Sequence, residues 1–132
     1  MMFDGINLVA VLVAAVASFA VGALWYGVLG KAWMRAARLG EDDVRPNPLL
    51  FAGAFACQLV MAFVFAGIIY HAGPVTLGNG ILSAVLVWVG LLATSLIVNH
   101  RFQGQSWALT VIDGGHWLAV LVVQGCVIGL FG

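Results

Sequence analysis

Residues 6–29 read INLVAVLVAAVASFAVGALWYGVL, an unbroken run without one charged side chain. A helix rising 1.5 Å per residue needs ~20 apolar residues to cross the hydrocarbon core of a bilayer, and this run supplies them. It has no period-two alternation, so it reads as a helix rather than a barrel strand. Three further apolar runs follow, the last interrupted by one charged residue, Asp113. The expected spans lie at about 6–29, 48–70, 79–98 and 107–131, the third beginning somewhere between Leu77 and Ile81.

Composition points the same way. The chain has 132 residues, 64% hydrophobic and 8% charged, with a mean hydropathy of +1.12. A soluble domain is typically about half apolar and about a quarter charged, so this chain lacks the polar groups to cover itself in water. In lipid every backbone N–H and C=O must pair within the protein, and a helix does so within one segment. The expectation is all-α: one transmembrane domain over 1–132, folded as an integral four-helix bundle. A cleaved signal peptide is not expected. Ala15-Val16-Ala17 resembles a cleavage site, but Met1-Met2-Phe3-Asp4 lacks a basic n-region and the apolar run continues to Leu29.

The breaks between spans are Arg45-Pro46-Asn47-Pro48, the pair Ala72-Gly73-Pro74 and Gly78-Asn79-Gly80, and Arg101-Phe102-Gln103-Gly104. Lys31, Arg35, Arg38 and Arg45 all fall after span one, and Arg101 falls after span three. With four spans these two connections share a side, and the other side has no Lys or Arg. The positive-inside rule then places both connections in the cytoplasm, N-out and C-out. Trp25, Tyr26, Trp33 and Trp107 read as an aromatic belt at that boundary, with Tyr70 near the other. Residues 31–39 read as a short amphipathic cytoplasmic helix, with Lys31, Arg35 and Arg38 on one face and Gly40 as its C′ residue. These basic residues anchor the topology, or else recognise a lipid headgroup.

Zero net charge gives no surface for nucleic acid. Cys57 and Cys126 sit in apolar runs without a CxxC spacing and read as small hydrophobes. Small residues offer close-packing faces: Ala14, Ser18 and Gly22 in span one, Gly53 and Cys57 beside Gln58 in span two, and the GxxxG of Gly125 and Gly129 in span four. Such faces serve packing within the chain or between subunits, and a homo-oligomer is expected.

The most unusual stretch is Asp113-Gly114-Gly115-His116-Trp117, inside span four. A carboxylate at mid-bilayer costs roughly 2.5–3.5 kcal/mol on insertion scales, so Asp113 is expected to face protein. Asp113 and His116 are three residues apart and share a helix face, which Gln124 extends. Ser95 and Asn99 near the end of span three, and Tyr26 of span one, complete a candidate polar cluster. Three readings stay open. Asp113 accepts a structural hydrogen bond from His116, Asn99, Ser95 or Thr94; or the pair carries protons or a cation; or it ligates a metal with His100 or another subunit. No residue at a suitable spacing completes a metal set, and neither a metal nor a cofactor is expected. A Gly-polar-small-Trp pattern at Gly30–Trp33 and again at Gly104–Trp107 raises the question of a duplicated two-helix unit.

From Gly22 to Met34 (GALWYGVLGKAWM) the chain resembles the bacterial membrane proteins grouped as domain of unknown function 1761. The pattern continues in the turn Phe102-Gln103-Gly104 and the pair Gly115-His116, so the resemblance covers nearly the whole chain. It implies a four-span protein of a bacterial inner membrane with no assigned activity. It also implies that asparagine is frequent where this chain has Asp113, which favours hydrogen bonding there and shifts interest to His116. The function expected is passage of a small solute or ion by an oligomer; the alternative is a membrane scaffold or accessory subunit. An enzyme is not expected, because no nucleophile–base pair or phosphate loop is visible.

Overall fold

The computed structural model describes residues 3–45 and 47–132. Four helices dominate: α1 (Leu8–Ala37), α2 (Pro48–Ala72), α3 (Leu77–Phe102) and α4 (Trp107–Phe131). Each is long and apolar enough to cross a membrane. Each also starts on a side-chain cap. Asn7 Oδ1 accepts from the amides of Val9 and Ala10, and Asn47 Oδ1 from that of Leu49 ahead of Pro48. Thr76 accepts from Asn79, and Ser106 from Leu109. A capped start satisfies amides that lipid would leave bare.

The helices run up and down in sequence, but their order in space is α2, α1, α4, α3. α4 is the central element, packed along both α1 and α3, while α2 and α3 barely touch. Burial follows: 44% of the most apolar stretch of α4 is buried in the bundle, against 6% for α3. The α3–α4 seam is the tightest. Gly80 and Gly125 meet backbone to backbone, and Gly129 lies on the Thr76 carbonyl. The GxxxG pair is therefore used inside the chain. Gly53 and Cys57 instead face outward.

Several boundaries differ from the sequence reading. Residues 31–37 do not form a separate amphipathic helix; they are the last two turns of α1, which runs on without a break. The left-handed residue ending it is Arg38 (φ 59°), not Gly40, whose amide caps the 3-10 turn Glu41–Asp43 through Asp43 Oδ2. Apolar Trp33, Met34 and Ala36 keep these turns packed, so nothing forces a stop at Leu29. Gly78-Asn79-Gly80 lies in the first turn of α3 rather than in the connection. Gly30–Trp33 lies inside α1, whereas Gly104–Ser106 forms a turn and cap, so the two similar stretches occupy unlike places. Within the break before span two, Pro46 lies outside the described residues.

α3 carries a π-helical segment at Trp88–Ala93. The changed spacing disturbs the carbonyl ladder. Thr94 donates its hydroxyl to the Gly90 carbonyl at 2.9 Å and Ser95 donates to that of Leu91, so both lipid-facing hydroxyls serve their own helix.

Candidate functional site

The interior divides into two halves. Away from the basic connections the core is apolar: Val11, Ala14 and Ala15 of α1, Phe65, Ala66 and Ile69 of α2, Ala84 of α3, Leu121 and Ile128 of α4. At the boundary a three-helix clamp forms. Gln124 Nε2 donates to Ser18 Oγ at 3.1 Å, and Ser18 Oγ lies 2.9 Å from Gln58 Oε1. All three residues are buried. Small Ser18, on the Ala14–Gly22 stripe, lets the two glutamines reach it.

Toward the basic end the interior becomes polar. Asp113 stands between α1 and α3. Its Oδ1 accepts from the Tyr26 hydroxyl at 2.6 Å, and its Oδ2 lies 3.9 Å from His100 Nε2. His100 Nδ1 is 2.8 Å from Thr110 Oγ1, to which Arg101 Nη2 also donates at 2.8 Å. A continuous run of ionisable and hydroxyl side chains therefore leads inward from Arg101 to Tyr26.

His116 lies one turn deeper, only 5% exposed, its ring 4.9 Å from that of Tyr26 and 4.6 Å from that of Trp117. Its Nδ1 is buried and has no hydrogen-bond partner. Gly22 makes its place: a Cβ there would stand 2.8 Å from His116 Nε2. Two tryptophans hydrogen-bond to the α4 backbone beside the adjacent glycines, and one of those glycines, Gly115, is required by a ring. Trp25 donates its indole N–H to the Ile112 carbonyl at 3.0 Å, and Trp88 donates to that of Gly114 at 2.8 Å. A Cβ at Gly115 would stand 2.8 Å from the Trp25 ring. Helix carbonyls thus satisfy both indoles inside the membrane protein.

The expected cluster is therefore partly assembled. Asp113, Tyr26 and His116 come together, although Asp113 and His116 form no hydrogen bond or ion pair with each other. Tyr26 and His100 are the partners of Asp113 instead of Asn99, Ser95 or Thr94. Ser95 and Asn99 face the other side of α3, in a cleft shared with Met61 of α2 and Trp117 of α4. Gln124 belongs to the separate clamp. Trp25 and Tyr26 turn into the bundle rather than toward headgroups, because α1 extends about three turns past them. Among the described residues no group of His, Cys, Asp and Glu side chains is placed to hold a metal ion. Thr110 is the member that the sequence did not suggest, while His100 was expected beside Asp113 only as a metal ligand and Arg101 only as a topology or headgroup residue. Their signal was the short connection, which folds the end of α3 directly onto the start of α4.

The basic connections meet at one end. Arg38 Nη2 donates to the Gly104 carbonyl at 3.2 Å, and Ser106 Oγ donates to that of Ala36 at 2.9 Å. Four apolar spans around a one-sided polar interior define a multi-pass membrane protein. The family described as "Protein of unknown function (DUF1761)" matches residues 9–129, and the chain belongs to that family. Neither a curated protein nor a solved structure gives a significant match.

Proposed function

We propose that this protein passes protons or a small polar solute, as a homo-oligomer, by way of Tyr26, His100, Asp113 and His116. One observation carries the reading: a run of groups able to exchange protons leads from the basic end to Tyr26, whose ring lies 4.9 Å from that of His116, a buried histidine whose Nδ1 has no hydrogen-bond partner. Ionisable groups within a span are costly and concentrate on ion and proton routes. Leaving a buried polar atom unpaired costs a further ~1–3 kcal/mol, which a polar solute hydrogen-bonded to it offsets.

The apolar half closes the route in a single chain. Passage therefore calls for a second copy or for a movement of helices. The basic end is read as cytoplasmic by the positive-inside rule, N-out and C-out, in a bacterial inner membrane. The meeting of both basic connections at one end supports their lying on the same side. The site is read as one of passage rather than catalysis.

The second reading is a scaffold or accessory subunit. It is favoured by the cleft between α2 and α3, where two cavities share Met61 and Leu92 and open sideways toward lipid. The test is proton and solute flux in proteoliposomes containing wild type, His116→Ala or Asp113→Asn. Both variants should lose most of the flux. Flux unchanged in both rejects these residues as carriers, and copurification of an intact partner complex would then support the scaffold.

A further inference from the structure

The outer side of the α3–α4 seam carries a groove of about 300 Å³, at the lower end of the ~300–1,000 Å³ usual for small-molecule sites. Trp88, Leu96, Ile97, Val111 and Leu118 form its walls, and Gly114 and Gly115 also line it. Trp107 and Thr110 line one end. There the Arg101 guanidinium sits 3.7 Å from the centre of the Trp107 ring.

Arg101 is held but not neutralised. Its Nη2 donates to the carbonyls of Gln105 and Ser106 and to Thr110 Oγ1. Nη1 makes no hydrogen bond within the described residues, and no carboxylate there lies within ion-pair distance of Arg101. Arg101 occupies the last turn of α3, a helix long and apolar enough to cross a membrane, so that with α3 spanning a bilayer it falls near the headgroups. Cations at that depth attract anionic lipid, and a guanidinium matches phosphate geometry well.

We propose that Arg101 and this groove together hold one anionic phospholipid, its phosphate on the Nη1 edge of Arg101 and an acyl chain along the groove. The fixed cation at the mouth of an apolar groove sets the occupant. Free phosphate leaves the groove unused, and the exposed carboxylates that a second copy carries at this end, Glu41, Asp42 and Asp43, sit on a short polar turn that would leave the groove unfilled. Lys31 and Arg35 take no part, so this site is separate from any general attraction of the basic surface.

The full chain in mild detergent, given equal phosphatidylglycerol and phosphatidylcholine, is measured by native mass spectrometry. Wild type should retain one phosphatidylglycerol per chain in preference to phosphatidylcholine. Arg101→Gln should cut that retention about fivefold, the loss of one interfacial cation. Val111→Trp, on a wall position 70% exposed, should block the groove without disturbing the core and cut retention at least as far. Neutralising Lys31 and Arg35 together should leave it unchanged. Equal adducts in wild type, Arg101→Gln and Val111→Trp would overturn the proposal. So would equal retention of both lipids by wild type, or loss on neutralising Lys31 and Arg35. Inorganic phosphate bound equally by wild type and Val111→Trp, with no lipid retained, also contradicts it. Arg101 also holds the α3–α4 turn, so if Arg101→Gln does not fold, Val111→Trp decides.

Discussion

The Tyr26 hydroxyl donates to the Asp113 carboxylate across 2.6 Å and ties α1 to α4 in the polar half of the bundle. Hydrogen bonds between membrane helices average ~0.6 kcal/mol and reach ~1.7, with charged acceptors at the upper end. Tyr26→Phe is expected to cost about 1–2 kcal/mol on that basis, read as unfolding free energy in bicelles. Asp113→Asn keeps an accepting oxygen and should cost less than Asp113→Leu. Equal costs for Asn and Leu would show that the bond contributes nothing.

The glycine contacts separate packing inside the chain from packing outside it. Alanine gains about 1 kcal/mol over glycine in a helix interior, yet overpacking a tight contact costs roughly 1–3 kcal/mol. A Cβ at Gly125 would meet the Gly80 backbone, whereas one at Gly53 meets nothing within 4 Å. Thermal stability in detergent should therefore fall for Gly125→Ala and hold or rise for Gly53→Ala. The reverse order would mean that the α3–α4 seam is misplaced.

Most of the fold was legible in the sequence, because lipid imposes length and apolarity on every span. The end of α1 was not. Charge at Lys31 and Arg35 marks where lipid ends, but a helix stops only where its backbone turns, here at Arg38. The site was half legible. Asp113 and His116 stand out as polar groups in an apolar run. Which of Asn99 and His100 faces them depends on the rotation of α3, and the π segment at Trp88–Ala93 resets that rotation without a sequence signal as plain as a proline.

The Ser18–Gln58–Gln124 clamp joins three helices through one hydroxyl. Residues in one hydrogen-bond network couple by about 0.5–3 kcal/mol. A double-mutant cycle of Ser18→Ala and Gln58→Leu should give a coupling of about 0.5–1.5 kcal/mol, within the limits seen for membrane helices. Strict additivity would dissolve the clamp.

Gly115 leaves room for the Trp25 indole. Gly115→Ala should push the ring off α4 and break its bond to the Ile112 carbonyl. In a variant whose other four tryptophans are phenylalanine, Trp25 emission should shift and its quenching by an aqueous quencher should change. Identical spectra with glycine and alanine would contradict the seat.

The division of the interior into a polar half and a dry apolar half is tested most directly by hydrogen–deuterium exchange of α4 in lipid nanodiscs. Backbone amides exchange where water and local opening reach them. Residues 107–117 should exchange measurably within the time that residues 119–130 stay protected. Uniform protection along α4, or faster exchange in 119–130, would contradict a polar site entered from the basic end.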